Sequence, residues 1–505
     1  MKYFIGLDLG TTAIKVGIFD QTGRKISVST QEYSLITPSA LIVEQDINVY
    51  WDSFRKGLTE VLAQSGVNGQ DDMALSISAQ SETLLFVDEA GEPLRNAIVW
   101  MDNRAQVEAL ELGRRFSNKE VQAVSGQPEM LATWPAPKVL WVKNNEPHVF
   151  SKIGKILLLE DYFIYRFTGT YCGEGSLWSS TLMWDIVKQR YWSEMLEALG
   201  VTEAQLPKIV ESTTPVGKML PEVTRELGLG GDVQVVMGGL DQACGAIGVG
   251  NVREGIFSES TGAALAACAM LDHPVFDPKG QMPLFYSCIP GKYIICAFSS
   301  GGIAHKWLRD VLCAEEKDIS PRMGWSAYRL MDQEAAAVPA GSDGLVVLPH
   351  FMGSGAPDVD QYAKCMIYGL GLSHTKAHLI RAFMEGIAVV LARMVEGLEA
   401  MEVPVREIRS LSGGAKSALW CQIKANITGR DVWVMKNAED AACFGAAILA
   451  GVGVGLWTSV EAAAESMVEK DKVFAAESKN RNVYAKLLES YKLLMDTCKP
   501  IFPKL

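Results

Sequence analysis

Four short segments of this 505-residue chain carry residue types suited to chemistry on phosphate and hydroxyl groups. In GGLDQACGAIG, Asp241 follows the apolar run VQVVM and sits beside glycines. Strand ends next to glycines are where α/β proteins place reactive groups, and a carboxylate there can accept a proton from a substrate hydroxyl. A helix N-cap is an equally ordinary use of such an Asp. In DLGTTAIK, Gly10 lets the backbone approach a ligand closely, while Thr11 and Thr12 add hydroxyl and amide donors. Backbone N–H groups in a turn of this kind can hold phosphate oxygens. Asp8, at the end of the preceding strand, suits Mg²⁺, which keeps several waters and takes few protein carboxylates. SESTGAALAAC repeats that chemistry with Ser260, Thr261 and Gly262. SLSGGAKSALWCQI sets Gly413, Gly414 and Ala415 at a strand-to-helix turn, small enough for a flat base or a phosphate to come close. Each segment, taken alone, also reads as a plain turn or a buried strand with a glycine bulge.

These residues need elements to hold them. YFIGLDLG, IKVGIFD and RKISVSTQEY are predicted strands joined by tight turns. A helix follows, with Trp51, Phe54, Leu58, Val61 and Leu62 on one face and Gly66 as its stop. MALSISAQ reads as a strand, and LLFVDEAGEPLRNAIVW as strand, turn at Glu89–Gly91, strand. VQVVM runs into a glycine turn and a helix start. A second strand-rich section holds REGIFSESTGAALAACA and FYSCIPGKYIICAF, the latter turning at Pro290–Gly291. Beyond it come a long helix from Ser373 to about Glu399, the strand IRSLSGG, a helix over Lys416–Ile427, the strand DVWVM and a helix over Glu439–Leu449. DLGTT early and ESTGA later form an internal echo. The division falls near Gly248–Gly250, giving domains over 1–248 and 249–505.

The bulk numbers bound the answer. A typical domain runs to about 100–200 residues, so two large domains are expected. With 48% hydrophobic and 21% charged residues the chain is globular rather than disordered. A net charge of −12 argues against a nucleic-acid partner, which requires a clustered basic surface. The ten cysteines form no CxxC pair and fit reduced thiols in a cytoplasmic protein. Lys2 and the apolar residues after it resemble the start of a signal peptide, but Asp8 interrupts the run. Ala441–Val460 is uncharged and long enough to span a bilayer. Gly445, Gly451, Gly453 and Gly455 turn it instead into a buried helix followed by a glycine-rich turn, so no membrane association is expected. His374 and His378 have the four-residue spacing of two metal ligands, yet no Glu lies between them and no third ligand is evident. His305 reads as a packing residue. No GxxxxGK[ST] loop occurs, so an ATP site must be of another kind.

Taken together and in this order, the segments resemble the FGGY family of carbohydrate kinases over nearly the whole chain. DLGTT is similar to the family's first phosphate loop, and EQDINVYW to the segment ahead of its first helix. AQSETLLFVDEAGEPLRNAIVWMDNRA is similar to its sugar-side block, and GLDQACGAIGVG to its catalytic-base turn. STG resembles the second phosphate loop, and SGGAKSALWCQI the adenosine motif. TWPAPKVLWVKNNEP, built around Lys138, Leu140 and Trp141, resembles one family signature, and GLGLSHTKAHLIRAFMEGIA, from Gly369 to Glu385, the other.

The resemblance implies an α/β fold of two ribonuclease-H-like domains, of the actin, Hsp70 and sugar-kinase superfold, flanking a catalytic cleft for ATP and sugar. It implies Asp241 as general base and Asp8 as an aid in holding Mg²⁺. Thr11, Thr12, Thr261 and Gly262 would meet phosphates, and Gly302, Gly414 and Ala415 would line the nucleoside site. Gln80, Ser81, Glu82, Trp134, Asp241 and Gln242 would face the sugar. Gln242 is like the glycerol kinases of the family, while APKVLWVKNNEP and SGGAKSALW are closer to its xylulose kinases. Ser81–Glu82 departs from both. The substrate expected is a pentulose such as xylulose, with glycerol or another polyol, a deoxy-ketose and gluconate as alternatives. A sugar-independent ATPase of the same superfold is the more distant reading. A homodimer is the default for a soluble enzyme of this kind.

Overall fold

The computed structural model describes residues 3–230 and 232–504; Met1 and Lys2, where the signal-like reading began, lie outside them. The chain forms two compact units. The first comprises residues 1–252, 271–295 and 440–468, and the second 253–270, 296–439 and 469–505.

The first unit is built on a sheet ordered Pro215–Lys218, Gln234–Leu240, Met73–Ala79, Tyr3–Leu9, Ala13–Asp20, Lys25–Glu32. The first three strands in sequence make the expected antiparallel meander, with Asp8 opposite Lys15. Met73–Ala79 adds parallel to Tyr3–Leu9, and Gln234–Leu240 parallel to Met73–Ala79. Helix Ile47–Ser65 begins at Asp46, whose side chain accepts from Asn48 N, and ends at Gly66 in the left-handed region at φ 68°. Its apolar face, including Trp51, Phe54 and Leu58, is buried. Helix Ala441–Gly453 is buried on nearly every side, as an apolar all-round helix must be. It packs on the strands Tyr3–Leu9 and Met73–Ala79. Among the described residues no helix is long and apolar enough to cross a membrane. A smaller five-stranded sheet holds Leu84–Val87, Ala97–Ile98 and Lys155–Leu158 and carries the segment around Glu82.

The second unit repeats the plan. Its sheet includes, in order, Tyr293–Ser300, Ala264–Leu271, Gly255–Thr261, Val405–Leu411, Asp431–Met435 and Lys470–Phe474, with Leu284–Tyr286 at the edge beside Tyr293–Ser300. Gly255–Thr261 pairs antiparallel with Ala264–Leu271 and parallel with Val405–Leu411, just as Tyr3–Leu9 pairs with its two neighbours. Helix Lys376–Ala400 supplies the core through Ile380, Phe383, Met384 and Ile387, packed with Trp420 and Ile423.

Candidate active site

In the first unit the turn after Tyr3–Leu9 is closed by Gly10 N donating to Ala13 O at 3.1 Å. Thr11 is half-buried and Thr12 exposed. Two neighbours hold this turn: Tyr33 donates its hydroxyl to Gly10 O, and Trp100 Nε1 donates to Thr11 Oγ1 at 2.9 Å. Gln80, expected to face the sugar, is buried. Its amide donates to Gly10 O and to Tyr50 Oη, both at 3.2 Å. Its Oε1 is buried without a partner among the described residues.

Asp8 is half-buried at its strand end, and its Oδ1 accepts from Ser78 Oγ at 2.9 Å. Burial pushes its carboxyl above the usual range, against the opposing pull of Ser78 and Lys15. Lys15 itself is engaged by Asp440 at 2.8 Å. Asp241 begins helix Asp241–Gly248, and its Oδ1 accepts from Gln242 N at 2.7 Å. Leu240 is the N-cap and no side chain caps this helix, so Asp241, its first residue, does not serve as the N-cap. Burial, and then repulsion from Asp8, push the Asp241 carboxyl up to about 7; Gln242 N works against this and Glu82 adds to it. Asp8 and Glu82 thus both lie within electrostatic reach of Asp241.

Glu82 sits in the left-handed region at φ 63°, a conformation that costs a non-glycine residue about 1 kcal/mol and that concentrates at functional sites. Ser81 Oγ donates to Glu82 Oε1 at 3.0 Å and meets Ser180 Oγ at 2.5 Å. Burial raises the Glu82 carboxyl, while Lys138 and the hydroxyls oppose it. Lys138 is fully buried, with its ammonium donating to Val99 O at 3.1 Å and Trp100 O at 2.9 Å. Burial pushes it down to about 7. Gln242 is half-buried beside Asp241. Trp134 is half-buried at the start of helix Pro135–Asn145, with its Nε1 donating to Glu129 O at 2.9 Å.

In the second unit, Thr261 is held from beneath. Its Oγ1 donates to Glu259 Oε2 at 2.6 Å and accepts from Lys424 Nζ at 2.9 Å. Lys424 and Glu259 form an ion pair at 2.7 Å, both fully buried, and Ser410 also donates to Glu259. Gly262 N closes the turn on Ala264 O at 3.0 Å. Gly302 opens helix Gly302–Leu312 against this turn, where a Cβ would fall 2.2 Å from Gly262 O. A Cβ on Gly414 would fall 2.6 Å from Thr261 Cβ. Only glycine permits these two approaches.

A cavity of about 800 Å³ opens beside these turns, lined by Thr261, Gly262, Gly302, Gly414, Tyr328 and Trp420 among others. Ala415 is not among the residues lining it. His305 does line it, although it also packs as expected, between Tyr328 at 5.4 Å and Trp420 at 5.0 Å between ring centres. Burial pushes its imidazole down to about 4, so it is neutral. A pocket of this size with aromatic walls and glycine edges has the form of a nucleoside site.

Sequence reasoning passed over Trp100, the buried Lys138 and the Glu259–Lys424 pair as working parts. Period-two alternation offered a signal for one of them. Phe257, Glu259 and Thr261 share a strand face, which puts a carboxylate directly under the threonine.

The repeated sheet, with its glycine- and threonine-bearing turn in each copy, is that of the actin, Hsp70 and sugar-kinase superfold, a class that includes ATP-dependent sugar phosphotransferases. The chain belongs to the FGGY family of carbohydrate kinases: the family's N-terminal domain matches residues 3–248 and its C-terminal domain residues 261–454. The xylulose kinase of Bacillus subtilis (strain 168) is 30% identical over 493 residues, 97% of this chain and 96% of that protein. Among solved structures, ligand-bound xylulose kinase from Lactobacillus acidophilus superposes with a TM-score of 0.90 at 26% identity, covering 100% of both chains. Gluconate kinase from Lactobacillus acidophilus also gives 0.90, at 27% identity, covering 100% of this chain and 99% of that one.

Proposed function

We propose that this kinase phosphorylates a hydroxyl of an uncharged ketose or polyol, foremost a pentulose such as xylulose, with Asp241 as general base. The observation that carries the reading is the charge of the first unit's site. Asp8 and Glu82 both act electrostatically on Asp241, and two of the three N–H groups of the neighbouring buried Lys138 donate to backbone carbonyls. An aldonate would set another carboxylate beside Glu82 and Asp241, whereas sugar hydroxyls can donate to both. Structural likeness to xylulose and gluconate kinases is equal, at a TM-score of 0.90 for each, so the fold leaves the choice to this chemistry.

Phosphoryl transfer is mostly positioning and charge stabilisation. Ionised Asp241 accepts the hydroxyl proton as the oxygen bonds to the γ-phosphorus of ATP. The bond from that phosphorus to the bridging oxygen breaks and ADP leaves. Thr11 and Thr12 in the first turn, and the turn at Thr261–Gly262 in the second unit, meet phosphate oxygens, and the cavity beside Gly302 and Gly414 takes the nucleoside. Asp8 fits a magnesium ion: its Oδ2 accepts no hydrogen bond among the described residues and is a hard oxygen donor. Magnesium bound there supplies positive charge against the phosphates.

The test is ADP release from ATP across ketopentoses, deoxy-ketoses, polyols and gluconate. Strong preference for one neutral ketose or polyol is expected, and efficient turnover of gluconate over all of them would overturn the reading. Glu82→Ala should raise KM for the sugar and leave KM for ATP unchanged, because it removes binding common to ground and transition states. An effect confined to ATP would take Glu82 out of the sugar site.

A further inference from the structure

The backbone leading into Asp241 is held by side chains as well as by its sheet. Gln234, Val235 and Val236 pair in register with Ala74, Leu75 and Ser76; the register then shifts, so that Gly239 faces Ser78 and Leu240 faces Ala79. The shift places an extra residue in the strand ahead of the carboxylate, as bulges beside active sites do when they re-aim a side chain. Two N–H groups in this stretch find side-chain acceptors. Gly238 N donates to Glu160 Oε1 at 2.9 Å, and Leu240 N donates to Ser176 Oγ at 2.9 Å. Ser176 Oγ in turn donates to Glu174 Oε1 at 2.8 Å. Glu174 is fixed by Ser176 N at 2.7 Å, Leu177 N at 2.6 Å and Ser212 Oγ at 3.2 Å.

Gly238 lets this strand lie close against Ile77 on its neighbour, and Gly239 leaves the space that Ser176 and Glu174 occupy. A Cβ on Gly238 would lie 1.7 Å from Ile77 O, and one on Gly239 would lie 2.7 Å from Ser176 Oγ and 3.1 Å from Glu174 Cδ. Glu160, Glu174 and Ser176 are fully buried. Burying carboxyls is costly unless they are well paired, and a regular parallel strand would satisfy its N–H groups with carbonyls at no such cost. Here two carboxyls from separate elements converge on the last three residues before Asp241.

Resting on the reading of Asp241 as general base, we propose that Glu174 and Ser176 are positioning residues that fix Leu240 N and thereby aim the Asp241 carboxylate at the substrate hydroxyl, with Glu160 anchoring the strand one step earlier. Neither touches substrate; they act through Asp241. The experiment measures kcat and both KM values for Ser176→Ala, Glu174→Gln, Asp241→Asn and the double variant Ser176→Ala/Asp241→Asn. Each rate is normalised to the fraction of molecules that bind ATP stoichiometrically. Ser176→Ala is expected to lower normalised kcat by roughly 10- to 100-fold, the scale of a small misplacement of a reacting group, with both KM values within about twofold of wild type. In the Asp241→Asn background the same change should cost nothing more, because its target is gone. Glu174→Gln keeps the volume of the side chain and provides the same measurement if Ser176→Ala does not fold. Unchanged normalised kcat in the folded variants, or a full additional loss in the double variant, overturns the positioning role while leaving Asp241 in place. Full activity of Asp241→Asn overturns the base assignment, and the proposal with it.

Discussion

The Asp241 carboxyl must be ionised to take a proton, and its surroundings resist that. Burial and the neighbouring Asp8 hold it up at about 7, well above an ordinary aspartate. A base with a raised pKa is protonated and idle below that value. The kcat/KM for the sugar should therefore fall about tenfold per pH unit below roughly 7 and level off above it. Magnesium at Asp8 would cancel part of the repulsion and move the limb to lower pH. A flat profile between pH 5 and 8 would show that another group takes the proton. Asp241→Asn should cost at least about 10²-fold in kcat, the usual scale for a lost general base. These residues were legible in sequence as a carboxylate at a strand end beside glycines. The rise in its pKa was not, because it depends on Asp8 and Glu82, which lie more than 150 residues away in the chain. Gln80 shows the same limit. Its type suits a sugar, but its amide nitrogen is engaged by Gly10 and Tyr50, contacts that no local pattern encodes.

At the scale of elements, strands and helices followed their patterns closely where a physical signal was local. The meander and the Gly66 stop formed where alternation and glycines put them, whereas the strand into Asp241 runs through Gly238 and Gly239 to Leu240 in place of the expected glycine turn. The long helix begins at Lys376 rather than Ser373, because Thr375 caps it: Thr375 Oγ1 meets His378 Nδ1 at 2.9 Å. His378 Nε2 meets Asp343 Oδ2 at 3.1 Å and His374 Nδ1 accepts from Gly371 N at 2.8 Å, so both imidazoles are used in holding this helix start. What could not be read was the tie between elements. Lys424 on helix Ala418–Thr428 reaches Glu259 on strand Gly255–Thr261, 165 positions earlier, and the pair holds Thr261 beside the cavity. Removing one member of a buried pair leaves the other charge uncompensated, at a cost of about 3–5 kcal/mol. Lys424→Ala should therefore lower the denaturation midpoint sharply and, in the molecules that remain folded, raise KM for ATP more than KM for sugar. Stability within about 0.5 kcal/mol of wild type, the range of an ordinary surface change, would mean that the pair does not hold this turn.

The whole molecule adds a dependence that no linear reading of the chain contains. Helix Ala441–Gly453 comes after the strands of the second sheet have been all but completed, yet it belongs to the first unit. Its fit there is close: a Cβ on Gly6 would lie 1.9 Å from Cys443 O, one on Gly445 the same distance from Cys244 O, and one on Gly248 the same distance from Ala441 O. Phe444 packs on Phe19 at 5.0 Å and Trp457 on Phe4 at 5.9 Å between ring centres. An apolar helix and three glycines read from sequence as a buried element, but apolarity alone does not say which sheet is covered. Without residues 440–468 the first sheet would present a broad apolar face to water, an aggregation liability far beyond the patches a soluble chain tolerates. A fragment of residues 1–252 is therefore expected to be insoluble, or to melt without a cooperative transition. The same fragment joined through flexible linkers to 271–295 and 440–468 should regain a cooperative thermal transition. Gly445→Val in the full chain tests the same contact more gently. Its side chain has no room beside Cys244 on the helix that begins with Asp241, so overpacking should cost about 1–3 kcal/mol and lower kcat along with stability. A soluble, cooperatively folding 1–252 fragment would show that the first sheet stands without its late helix, and the dependence argued from these contacts would fall.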